Sequence, residues 1–281
     1  MQVSANQYVA SISQARANKT DTSRSEAAVR SGASASDAAV SRTAYSKAPG
    51  VSAAVGAALL RIQETGSVFN REDTRLMYMR GVSNEDRQRF NEIVQDAAEN
   101  GGYNDPLGYI KSLSRDDIDV LQRVHSLAEP KGVIGVTTEE GAFNLLLPQS
   151  QQVDTNDDAI VERGLAKTFV FPPVNSPQAV KDAWDEATAG MTEKERMLAT
   201  APFMAVSVAV NVKYDAKGES IGLYEPGDKG YANIFGKTGE DWTKMLSRMI
   251  DYSRSLEAYD SKYIQQTKLL VAFSENLTEK T

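Results

Sequence analysis

The sequence predicts a mainly α protein with a small β-hairpin, an α+β array of short helices followed by one long C-terminal heptad helix. Three observations carry this. Between residues 51 and 148 apolar residues recur at helical spacing in short runs, most of them opened by Ser, Thr, Asp or Asn and most closed by glycine or proline. Period-two alternation occurs clearly once, at Met204–Tyr214. Steps of three and four from Trp242 reach Met245, Met249, Tyr252, Leu256, Tyr259, Tyr263, Gln266, Leu270, Phe273 and Leu277, with no Pro or Gly in between.

Residues 1–50 are rich in Ser, Ala and Thr and hold few large apolar groups. Such a stretch cannot offset its ordering entropy, so it is expected to be a flexible low-complexity leader with nascent helix at Glu26–Arg30.

A helical body is expected over 51–190. Val51–Gln63 forms its first helix, closed by Gly66, and Asn70 caps a second through Leu76 and Met77, ended by Gly81. Ser83 and Asp86 open Asn84–Ala98, which places Phe90, Ile93, Val94 and Ala97 on one face. Asp105-Pro106 starts a short helix, and Ser114 with Asp117 starts another whose inward face is Ile118, Leu121, Val124 and Leu127. Thr137 or Thr138 opens a helix through Phe143 and Leu145 up to Pro148. Thr168–Phe171 reads as a short extended segment stopped by two prolines, and Ser176-Pro177 opens a helix carrying Val180, Ala183 and Trp184 to Gly190.

Residues 191–239 are expected to hold a helix capped by Thr192, a β-hairpin of Met204–Tyr214 with Glu219–Tyr224, and a glycine-rich connection. The alternative for 203–214 is a helix continuing through Val212, because the intervening Ala and Ser fit either conformation. The heptad run then fills 240–281 as one rod spanning on the order of 55 Å.

With 281 residues, 41% hydrophobic and 25% charged, the chain has the composition of an ordinary globular protein. The absence of cysteine excludes disulfides and thiol nucleophiles. The formal charge of −7 combines a leader at +3 with a remainder at −10, which argues against a nucleic-acid partner. No basic region followed by an apolar core begins the chain, and its longest uncharged apolar run, Val51–Leu60, is too short to cross a bilayer. Membrane insertion and Sec export are therefore not expected, which leaves a cytoplasmic location or export by a non-Sec route.

Asp154-Thr-Asn156-Asp-Asp158-Ala-Ile-Val-Glu162 is the best local candidate for chemistry. Asp154, Asn156, Asp158 and Glu162 supply oxygens at positions 1, 3, 5 and 9 of a calcium-loop pattern, and this dozen residues resembles an EF-hand-like or dockerin-like loop. The resemblance implies a weak Ca²⁺ site. The sequence departs from the pattern at position 6, where Ala159 replaces glycine, and at position 12, where Leu165 replaces an acid. The competing reading is an Asx-rich turn whose side chains cap their own backbone. Six acidic residues and no Lys or Arg lie between Thr137 and Glu162. His125, the single histidine, reads as a packing residue, and Gly236-Lys237-Thr238 lacks the first glycine of a phosphate loop, Tyr231 standing there.

The leading expectation is a non-enzymatic assembly or adaptor protein, with Trp242, Met249, Tyr252, Leu256, Tyr259, Tyr263, Leu270, Phe273 and Leu277 meeting a protein partner or a second copy. Leu270–Leu277 and the tyrosine-rich middle are the portions expected to face another chain. A flexible leader joined to a long heptad helix is similar in architecture, without a matching motif, to bacterial surface-appendage proteins and type III export substrates. The alternatives are a calcium-responsive binding protein and a carboxylate-based enzyme of unknown substrate.

Overall fold

The computed structural model describes residues 51–128, 137–226 and 228–281. The expected leader, 1–50, lies outside the described residues. The chain divides into two compact units, whose described parts are 51–175 and 176–281. The class is as expected: helices dominate, accompanied by two small antiparallel hairpins.

The first unit contains α1 (Val51–Thr65), α2 (Arg71–Met79), α3 (Asn84–Glu99), α4 (Pro106–Ser112), α5 (Arg115–His125) and α6 (Glu139–Leu145). Five of these start at side-chain caps visible in the sequence. Asn70, Ser83, Asp105, Ser114 and Thr138 each accept a backbone N–H from three residues ahead, which satisfies one of the donors a helix start leaves open. Phe90, Ile93, Val94 and Ala97 of α3 are buried together with Val120, Leu121 and Val124 of α5 and Phe143, Leu145 and Leu146 around α6. Tyr103 joins this core through its ring, 5.4 Å from that of Phe143, and its hydroxyl donates to the Leu146 carbonyl at 2.8 Å.

Strands β1 (Ile160–Arg163) and β2 (Ala166–Phe169) pair antiparallel, with Val161 opposite Thr168 and Glu162 opposite Lys167. The extended segment expected at Thr168–Phe171 is thus partly a strand, and its partner occupies what read as the end of an acidic loop. Gly164 closes the hairpin at φ +58° and donates to the Gly141 carbonyl at 2.9 Å. That close approach tolerates no side chain at Gly141, which would strike the Gly164 carbonyl and the Thr137 hydroxyl.

The second unit contains α7 (Gln178–Ala187), α8 (Glu193–Ala199), α9 (Ala201–Val210), β3 (Val212–Tyr214), β4 (Ser220–Leu223), α10 (Gly239–Leu256) and α11 (Lys262–Lys280). Two expectations are corrected here. The strand expected from Met204 is helix α9 up to Val210, and only Val212–Tyr214 pairs with Ser220–Leu223. Ala201, Ala205, Ser207 and Ala209 are small enough to satisfy either pattern, and Pro202 in the first turn favours the helix. Asn211 ends it, exchanging hydrogen bonds with the backbone of Ala232 at 3.0 and 2.8 Å. The hairpin itself turns at Asp215–Gly218 as expected, with Asp215 accepting from the backbone of Lys217 and Glu219.

The single long helix over 240–281 is likewise broken. It is two helices of 18 and 19 residues, separated by Glu257–Ser261. They fold back on each other, so that Ser253 meets Thr267 while Gly239 lies against Thr281. At the bend Asp260 accepts the Lys262 N–H, the local competition with helix that Asp and Ser provide. An aromatic cluster from three helices fills the space beneath: the Trp184 and Phe273 rings are 5.3 Å apart, and those of Trp242 and Phe273 6.1 Å.

Candidate functional site

The acidic residues singled out in the sequence do converge, at the junction of α6, the 154–159 loop and β1. Glu140, in the first turn of α6, accepts from the backbone N–H of Glu162 at 3.0 Å and from both the N–H and hydroxyl of Thr155, at 2.7 and 2.6 Å. Asp154, wholly buried, accepts from the N–H groups of Asp158 and Ala159. Asn156 accepts from Asp158, and Asp158 from Ile160 at 2.7 Å. Glu162 takes the Thr138 hydroxyl and forms an ion pair with Lys167 at 2.7 Å.

Apart from Glu162, whose partners are side chains, these acidic residues are turned onto backbone donors, the arrangement of an Asx-rich turn rather than of an open metal shell. Among the described residues no group of three or more His, Cys, Asp or Glu side chains is arranged to hold a metal ion. Ala159, at the loop position where a calcium site carries glycine, adopts φ +67°, and Asp157 adopts φ +61°. Asn144, unremarked in the sequence, holds the loop to α6: its amide nitrogen reaches the carbonyls of Val153 and Glu162, and its oxygen accepts the Val153 N–H. No sequence signal marks it, because a lone Asn on an apolar helix carries no spacing.

Burial works against the charge that these groups carry at neutral pH. It pushes the carboxyls of Glu140 and Asp154 above their ordinary values against the pull of their hydrogen bonds, and Asp158 is pushed up to about 7, with Asp154, Glu140 and Glu162 adding to the effect. His125 packs edge-on against Phe90, ring centroids 5.6 Å apart, and its Nε2 donates to the Leu145 carbonyl at 2.9 Å. Burial lowers its pKa to about 3, so it stays neutral and serves as a core residue.

The interaction residues read from the heptad divide into two groups. Trp242, Met249, Leu270, Phe273 and Leu277 are buried within their own unit, which corrects the expectation that Leu270–Leu277 faces another chain. The seam is covered by its own second half and by α7. Tyr252, Leu256 and Tyr263 are half-buried, and Tyr259, at the bend, is 84% exposed.

A different apolar surface is open. Helix α8 has no buried residue and presents Met197 and Leu198 to solvent. Helix α9, Ala-Pro-Phe-Met-Ala-Val-Ser-Val-Ala-Val, has no charged side chain on any face, yet Phe203 is its single buried residue; Met204 and Val208, one turn apart, are exposed. The hairpin continues this exposure with Tyr214, Ile221 and Leu223. Reading 204–214 as a strand conceals the surface, because a strand needs only one covered face, whereas a helix without a polar side needs cover all round. No family model, curated protein or solved structure matches the chain.

Proposed function

We propose that this is a non-enzymatic assembly or adaptor protein that works through protein–protein contacts, with the contact surface on α8, α9 and the β3–β4 hairpin rather than on the heptad seam. The observation that supports this reading is α9, a helix as apolar as a core element with one buried side chain. Exposed apolar surface of this extent marks interaction sites, and core-like composition belongs to permanent interfaces, whereas transient ones are about as polar as ordinary surface. The occupant that fits is a second copy of this chain, since permanent interfaces in soluble proteins are most often between identical subunits. Tyr259 at the α10–α11 bend is a second exposed aromatic position in the same unit.

Size-exclusion chromatography with light scattering on the full chain tests this. The expected result is a dimer or larger species at micromolar concentration, converted to monomer by Met204→Asp with Val208→Asp at unchanged helicity. A parent that stays monomeric at high micromolar concentration overturns the reading, as does an oligomer indifferent to these substitutions. Flotation of the chain with anionic lipid vesicles, lost in the same variant, would overturn it in favour of a lipid surface.

A further inference from the structure

A cavity of about 380 Å³ opens in the first unit between α3, α4 and the turn that starts α5, within the size range of small-molecule sites. Ile93, Leu113 and the ring of Tyr109 contribute its apolar lining. The ring is held in place from behind: any side chain at Gly102 would strike it.

The polar groups of the lining are unequally committed. Arg89 spends its guanidinium inside the protein, binding Asp117 through Nε at 2.6 Å and Nη2 at 3.1 Å and Glu92 through Nη1 at 2.8 Å. Each lining hydroxyl is also spent: Ser112 donates to the Tyr109 carbonyl at 2.7 Å, Ser114 to Asp117 at 2.7 Å, and Tyr109 to Asp96 at 2.5 Å. What remains is acceptor capacity. Asp96 takes hydrogen bonds from two neutral donors, the Tyr109 hydroxyl and the Asn100 amide at 2.8 Å, and has no cationic partner among the described residues. Glu92 binds Arg89 through one carboxylate oxygen, and among the described residues no donor meets the other. Three carboxylates against one guanidinium leave the lining at a formal −2.

We propose that this cavity binds a small organic ammonium ion, an alkylamine or diamine, through the carboxylates of Asp96 and Glu92. Such a ligand is donor-only and positively charged, the complement of a lining whose hydroxyl hydrogens are spent. The Tyr109 hydroxyl stays protonated, because burial and then the Asp96 carboxylate raise its pKa well above the ordinary value, so it continues to orient Asp96. Asp117 is held below the usual carboxylate range by Arg89 and keeps that guanidinium out of the ligand's way.

Isothermal titration of the full chain with putrescine, at low and at physiological ionic strength, tests the site. Saturable one-site binding is expected, with none for 1,4-butanediol, which has the same length and no charge. Asp96→Asn removes the charge while keeping one oxygen to accept from one of its two donors, and is expected to weaken binding at least tenfold, and Glu92→Gln several-fold. Should Asp96→Asn fail to fold, Glu92→Gln carries the test, since its side chain is exposed on α3. Absence of saturable binding, equal binding of the diol, or unchanged affinity in the folded variants overturns the proposal.

Discussion

The hydroxyl of Thr267 donates to the hydroxyl of Ser253 at 2.8 Å, joining α10 to α11 between side chains that are both buried. Ser253 passes the bond on to the Tyr263 carbonyl at 3.2 Å. Ser253→Ala orphans the Thr267 hydroxyl in the core and is expected to cost on the order of 1–2 kcal/mol. Ser253→Ala combined with Thr267→Val removes both ends of the contact and should recover much of that loss. Urea unfolding of the parent, both single variants and the double variant measures the coupling, and strict additivity would contradict it.

Asp158 gives the stability an unusual pH dependence. Its pKa in the folded chain is raised to about 7 from the ordinary 3.8, so the folded form holds the proton more tightly than the unfolded one. Its contribution is therefore fully present below about pH 4 and is lost as pH rises through 7. Asp158→Asn retains an oxygen to accept the Ile160 N–H. The variant is expected to match the parent near pH 4 and to exceed it by roughly 1–3 kcal/mol at pH 8. Unfolding curves at pH 4, 6 and 8 check this, and a difference that does not grow with pH contradicts it.

Ser126 ends α5 in the left-handed conformation, φ +53° and ψ +42°, with its side chain exposed. Glycine takes that conformation without strain from Cβ, so Ser126→Gly is expected to raise stability by about 0.5–1 kcal/mol. Thermal unfolding of the variant beside the parent shows the sign, and a lower Tm would count against the strain argument.

Legibility in the sequence follows the range of the forces involved. The starts of α2 to α6 were readable because a cap lies within three residues of its donor, as Ser83 does with Asp86 and Ser114 with Asp117. The bend at Glu257–Ser261 was not, because no Gly or Pro marks it; contacts such as Ser253–Thr267, fourteen residues apart, accompany it. The partner of β2 is local, three to nine residues away, but Ile160–Arg163 has no period-two alternation to mark it as a strand. The acidic site is legible in membership and illegible in role: the calcium-loop spacing picks out Asp154, Asp158 and Glu162, but not the backbone N–H groups or Lys167 that occupy their oxygens. The cavity beside Asp96 leaves no sequence signal, because its lining comes from three separate segments with no common spacing.

The return of α11 alongside α10 also has a mechanical meaning. Because Gly239 lies against Thr281, a pull applied between these two residues loads the hairpin as a zipper, opening the Leu277 layer first, then Phe273, then Leu270. Contacts broken one after another resist less force than contacts sheared together. The unit should therefore yield stepwise at low load from this end, whereas a grip at the Tyr259 bend and at Thr281 stretches α11 along its own axis and loads the backbone hydrogen bonds of that helix together.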